Sequence, residues 1–135
     1  NQNRLIIDAG TCITYDFVNS ENQYLGGAIS PGIKIRYKSL NNYTSKLPLL
    51  TLSEDFEIIG NSTKSAIHSG VINGVIFEIE GFISQYSLKN QDLTIILTGG
   101  DAEFLAKRLK STIFANSNFL LESLNLLSLY TQKND

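Results

Sequence analysis

Three short runs rich in β-branched and aromatic residues crowd the start of this chain, and the connections between them are too short for anything but antiparallel neighbours. Leu5-Ile6-Ile7 is an apolar run ending at Asp8 and Gly10, which predicts a buried strand closed by a tight turn. Residues 11–18 carry Ile13, Tyr15 and Phe17 at alternate positions, the period-two pattern of a second strand. Asn19-Ser20-Glu21-Asn22-Gln23 is a polar turn, and residues 24–29 form the third strand. A parallel pairing would need a crossover of about a dozen residues or more. The chain therefore opens as an antiparallel meander.

The period then changes. Ser30-Pro31-Gly32 stops the third strand, and apolar residues at 33, 37 and 40 predict a helix over 33–40. Residues 41–57, with Pro48 among Leu47, Leu49, Leu50 and Leu52, predict a loop or a short extended piece. A long helix starts at Ser62 or Thr63, with apolar positions 67, 71, 72, 75, 76, 79, 82, 83 and 86 at helical spacing. Gly70, Gly74 and Gly81 lie inside it. Each costs about 1 kcal/mol relative to Ala in a helix interior, so close packing against a sheet or a partner helix is expected there.

Residues 93–97 predict a buried strand closed by Thr98-Gly99-Gly100. Asp101 is a candidate N-cap for a helix over 102–110, with Glu103 in its first turn and Lys107, Arg108 and Lys110 in its last. A short strand at 112–115 and an amphipathic helix at 119–130 complete the series. The order β-β-β-α-α-β-α-β-α is the ribonuclease-H-like pattern, from which actin and hexokinase build an ATP cleft between two facing domains. The expected fold is α/β: one ribonuclease-H-like (actin-like ATPase) domain over residues 1–135, with a mixed five-stranded sheet flanked by helices.

Composition narrows the classes. A chain of 135 residues suits one domain and buries a core without disulfides or a structural metal. With 42% hydrophobic and 18% charged residues it is globular rather than disordered. A net charge of -2 with scattered Lys and Arg gives no electrostatic footprint for nucleic acid or an anionic membrane. Cys12 is the only cysteine, so this chain alone forms neither an internal disulfide nor a thiolate metal cluster, and a reducing, cytoplasmic location is expected. No apolar run looks long enough to span a bilayer, and no signal-peptide pattern is present. The chain lacks methionine and starts Asn1-Gln2-Asn3-Arg4, which leads us to expect a piece of a longer or processed protein.

Three motifs carry possible chemistry. In Asp8-Ala9-Gly10-Thr11-Cys12-Ile13-Thr14-Tyr15-Asp16, Gly10 removes a side chain where a phosphate could approach the backbone. Turn N–H groups and the Thr11 hydroxyl could donate to phosphate oxygens, and Asp8 offers the oxygen ligand that Mg²⁺ or K⁺ prefers. An ordinary hairpin with a turn Asp and Gly explains the same residues. In Leu97-Thr98-Gly99-Gly100-Asp101-Ala102, the glycines allow the chain to pass close to a flat ligand such as adenine or ribose, or they merely shape a strand-to-helix turn. In Gly60-Asn61-Ser62-Thr63-Lys64-Ser65, a hydroxyl either caps the helix or holds a polar substrate.

Other features carry less. Gly26-Gly27 predicts a tight backbone approach at the third strand. His68 has no second His or Cys nearby, which argues against a metal. Cys12 is expected to be a small buried apolar side chain.

Asp8–Asp16, the Gly26–Gly32 turn, Leu47-Pro48, Gly60…Thr63…Ala66-Ile67…Gly70 and Thr98-Gly99-Gly100 occur in an order and spacing that closely resemble type III pantothenate kinase. The resemblance covers nearly the whole chain and implies phosphorylation of pantothenate to 4′-phosphopantothenate by ATP, the first step of coenzyme A biosynthesis. It implies that Asp8 binds a monovalent cation (K⁺ or NH4⁺) beside Mg²⁺-ATP. Gly10 and Thr11 would contact ATP, Gly99 and Gly100 would line its nucleoside, and Thr63 would contact pantothenate. A homodimer is implied, with neither nucleic acid nor membrane as partner.

The family's Asp-x-Gly-Asn-Thr phosphate loop and its Gly-x-Asp-Arg motif, which supplies the catalytic base, are absent from these residues. The chain thus resembles the C-terminal half of a two-domain kinase, with no catalytic base of its own, and is expected to fold but not turn over in isolation. A non-catalytic relative acting as an accessory or transcriptional regulator, or another actin-like kinase acting on a sugar or carboxylate, are the alternatives.

Overall fold

Alternate residues of the opening strands point to opposite faces of a four-stranded mixed sheet. The computed structural model describes residues 2–54 and 57–111. Strands β1 (Arg4–Ala9), β2 (Cys12–Val18) and β3 (Tyr24–Pro31) form the antiparallel meander. Strand β4 (Thr94–Thr98) pairs parallel to β1, giving the order β3-β2-β1-β4. Four strands stand among the described residues where five were expected. The fifth, at 112–115, and the helix at 119–130 lie outside them.

The β2–β3 turn is built by Asn19, whose carboxamide oxygen accepts from the N–H groups of Glu21 (3.0 Å) and Gln23 (2.9 Å). Such local bonding is why Asn favours turns. Gly27 meets the expectation of a close approach: a Cβ there would fall 1.5 Å from the Tyr15 carbonyl oxygen.

One face of the sheet carries Leu5, Ile7, Ala9, Ile13, Tyr15, Ile95 and Leu97, and the helices pack on it. Helix α1 (Ile33–Asn42) contributes Ile33 and Tyr37. The long helix runs from Thr63 to Lys89 in three parts: α2 (Thr63–His68), a π-helical turn (Ser69–Asn73) and α3 (Gly74–Lys89). It lays Ile67, Val71, Val75, Ile79 and Ile83 on the sheet, and helix α4 (Ala102–Ala106) adds Leu105. The opposite face holds a smaller cluster of Ile6, Val18, Ile96 and Tyr24.

Four expectations need correction. The helix from Thr63 to Lys89 is in fact long and apolar enough to cross a bilayer. Its apolarity is that of a core helix, because the Ile67–Ile83 stripe is buried against the sheet. The π-helical turn at its middle was not expected, since a single widened turn leaves the apolar spacing almost intact. The helix glycines do not pack on the sheet: a Cβ at Gly70 or Gly81 would meet nothing within 4 Å, and one at Gly74 only the Arg36 guanidinium at 3.8 Å. Finally, α4 ends at Ala106 rather than 110, and the Asp101 side chain does not cap it.

Candidate functional site

The parallel pairing of β1 with β4 places Asp8 opposite Thr98, and so brings the two glycine-bearing motifs together. Asp8 is exposed at the end of β1. Gly99 follows β4 with φ of +100°, a conformation other residues rarely adopt. A Cβ on Gly99 would lie 2.5 Å from both the Asp8 Oδ1 and the Ala9 carbonyl oxygen. Glycine is thus required for the β4 turn to pass against the Asp8 carboxylate.

The β1–β2 turn is pinned from two sides. The Gly32 N–H donates to the Thr11 carbonyl (3.0 Å), and the Asp101 N–H donates to the Ala9 carbonyl (2.9 Å). The starts of α1 and α4 therefore both hang on residues 9–11.

Between those helices opens a cavity of about 580 Å³, within the size range of small-molecule sites. Gly10, Thr11, Gly100 and Asp101 form one end of its lining. Ile33, Tyr37, Leu49, Leu50 and Leu52 supply apolar wall, and Lys34 and Lys38 bring two positive charges from successive turns of α1. The structure thus gathers Asp8, Gly10, Thr11, Gly99 and Gly100 into one corner. It does not bring Thr63 there. That residue is exposed at the first position of α2 and is not part of the cavity lining.

At the start of α2 the open choice between Ser62 and Thr63 as cap is resolved. Ser62 Oγ accepts from the Ser65 N–H (3.1 Å), and Ser65 Oγ accepts from the Ser62 N–H (2.9 Å). This reciprocal box satisfies the helix start and leaves the Thr63 hydroxyl uncommitted to capping.

Sequence reasoning missed the α1 wall and residues 49–52. The signal was present in Ile33, Lys34, Tyr37 and Lys38 at i, i+4 spacing, but nothing in the sequence placed α1 beside the Gly99 turn. Cys12 is exposed rather than buried, because it starts β2 on the side facing away from the main core.

A second polar centre was also missed. Glu78 on α3 accepts from Tyr15 Oη (2.6 Å), Ser30 Oγ (2.6 Å) and Arg36 Nη2 (2.5 Å). Arg36 also donates through Nε to the Pro31 carbonyl (2.9 Å). Burial pushes the Glu78 carboxyl up, but the three donors and the Arg36 charge outweigh it and hold the group below the ordinary range. Burial, then the adjoining carboxylate, pushes the Tyr15 phenol well up.

His68 is engaged by Tyr37, whose hydroxyl lies 2.7 Å from Nδ1, and burial raises that phenol to about 12. Among the described residues no three His, Cys, Asp or Glu side chains gather as a metal cage. Asp8 offers one exposed carboxylate as a possible cation ligand at the end of β1. A divalent ion there would draw most of its ligands from phosphate and water.

A family profile described as type III pantothenate kinase matches residues 1–85. A type III pantothenate kinase of Flavobacterium johnsoniae is 64% identical over 134 residues, covering 99% of this chain and 55% of that protein. One from Flavobacterium psychrophilum is 67% identical over 129 residues, covering 96% of this chain and 54% of that protein. The chain spans about half the length of the curated relatives it matches. A crystal structure from Campylobacter jejuni assigned to the Baf family of transcriptional activators superposes with a TM-score of 0.63 at 23% identity, over 97% of this chain and 60% of that one. At that identity it speaks for the fold alone.

Proposed function

The chain belongs to the type III pantothenate kinase family, and on that premise we propose that it forms part of an enzyme phosphorylating pantothenate with ATP to give 4′-phosphopantothenate. The observation that carries this reading is that Gly10–Thr11 and Gly100–Asp101 line one cavity, with Asp8 and Gly99 packed together next to them in the chain. Thr11 and the Gly10 turn would meet the phosphates, and Gly99 and Gly100 would let the nucleoside lie on the backbone. The Lys34 and Lys38 charges at the cavity are complementary to a polyphosphate.

Asp8 is the proposed ligand for K⁺ or NH4⁺, and Mg²⁺ would arrive with ATP. Such a cation neutralises phosphate charge. Asp8 would hold it from the exposed end of β1, beside the Gly99 turn. Phosphoryl transfer is governed by positioning and charge stabilisation, and these residues serve both. The proton acceptor is proposed to lie outside these residues, in a facing domain of an actin-like, ribonuclease-H-like pair of which this is the C-terminal one.

Thr63, away from the cavity at the start of α2, is the proposed pantothenate contact. A homodimer is part of the reading. The helix face bearing Gly70, Gly74 and Gly81 beside exposed Phe77 and Leu88 offers the room for a second helix. A cytoplasmic site of action completes it.

The test is pantothenate-dependent ADP release by the protein that carries this chain. Thr63→Ala is expected to raise the KM for pantothenate about tenfold, with the KM for ATP unchanged. A protein whose ATP turnover ignores pantothenate refutes the substrate.

A further inference from the structure

One polar group in the cavity has no task in that reading. Asp101 lines the cavity directly after Gly100, at the end where β1 and β4 finish. It occupies the cap position of α4, yet its side chain makes no capping hydrogen bond. No hydrogen bond or ion pair engages its carboxylate among the described residues. Burial strips it of enough water to hold its carboxyl above the ordinary range. A partly desolvated carboxylate without protein donors gains from a ligand that supplies them.

The neighbouring backbone shows which kind of group is wanted. The Asp101 N–H is already given to the Ala9 carbonyl (2.9 Å), and the Ala102 N–H to the Gly99 carbonyl (3.1 Å). This end of the cavity therefore presents an acceptor and no free backbone donors of its own at these two positions. Its ligand must bring hydroxyl or amino hydrogens.

Position narrows the choice. Asp101 shares the cavity lining with the Gly10–Thr11 turn, the candidate phosphate contact, and with the apolar Ile33, Tyr37 and Leu50, against which a base could lie. In a nucleotide, the piece that joins phosphate to base is the ribose, and its vicinal hydroxyls are hydrogen-bond donors. We infer that Asp101 is the ribose-reading residue of this cavity, its carboxylate accepting hydrogen bonds from the 2′- and 3′-hydroxyls of the bound nucleotide. The inference rests on the nucleotide reading of the cavity.

Calorimetric titration of the protein carrying this chain with ATP, 2′-deoxy-ATP and 3′-deoxy-ATP tests it. At least one deoxy analogue is expected to bind about tenfold more weakly than ATP, the size of one charge-assisted hydrogen bond. In Asp101→Ala, ATP is expected to weaken by a similar factor and the preference over the deoxy analogues to vanish. The comparison of analogues on the unaltered protein needs no variant to fold. Equal binding of all three nucleotides to it overturns the inference while leaving the nucleotide reading standing. A ribose preference that survives Asp101→Ala overturns it in the same way. Binding of none of the three overturns the nucleotide reading itself, and the inference with it.

Discussion

The Asp8–Gly99 corner and the Glu78 centre are both built around a carboxylate, yet the protein treats them in opposite ways. Glu78 is answered by Tyr15, Ser30 and Arg36, which tie β2, β3 and α1 to α3. Asp8 is exposed and answered by no side chain among the described residues, and the Gly99 backbone passes close against it. A satisfied carboxylate holds structure together. An unanswered, exposed one is solvated by water and open to a ligand. Acidic character alone does not separate the two; the partners that each carboxylate has do.

The contrast can be broken most forcefully at Gly99. Gly99→Ala puts a Cβ against the Ala9 carbonyl and the Asp8 carboxylate in a left-handed conformation, and is expected to cost about 3 kcal/mol of stability in urea unfolding. A variant as stable as the parent would show that the β4 turn relaxes freely. Next comes Glu78→Ala, which strands three donors at a site about a fifth exposed. A loss of about 2 kcal/mol is expected, with ATP affinity nearly unchanged. Loss of ATP affinity at full stability would make Glu78 a ligand group and dissolve the distinction.

Acid sharpens the same point with a smaller effect. The folded Glu78 carboxyl titrates below its ordinary value of 4.5. Its contribution is therefore fully present above that value and disappears as pH falls through the lower, folded value. Unfolding free energy followed from pH 6 to pH 3 (roughly the range in which such a group protonates) should drop less steeply in Glu78→Gln than in the parent. The smallest effect on folding belongs to Asp8→Asn. It should change stability by no more than about 0.5 kcal/mol, while abolishing the dependence of ATP turnover on K⁺ or NH4⁺. If Asp8→Asn instead unfolds the protein, the corner is scaffold.

Much of this was legible in the chain, and for physical reasons. Strands β1 to β3 announce themselves because side chains alternate with period two, and short turns permit only antiparallel neighbours. The stripe from Ile67 to Ile83 follows from helical spacing. Asp8, Gly10, Thr11, Gly99 and Gly100 stood out because glycine beside a strand end has few uses. What was not legible depended on distance in space. The Arg36–Glu78 ion pair joins residues 42 positions apart, and no local pattern encodes such a partner. Cys12 was misplaced because a residue at a strand start has too little pattern around it to reveal its face. Asp101 was misread as a cap because its backbone has φ of -99° and ψ of 6° rather than the extended conformation of a capping residue, and no local pattern of side chains reveals that rotation.

The Asp8–Asp16 stretch, with which the chain nearly begins, shows where the division lies. The sequence by itself determined that a strand ends at an acid followed by a glycine and a hydroxyl, since those residue types leave the backbone little else to do there. Only the tertiary structure decided that the acid stands against Gly99 and that Thr11 shares a cavity with Asp101. Those neighbours are separated by about ninety residues of chain, and the parallel pairing of β1 with β4 brings them together.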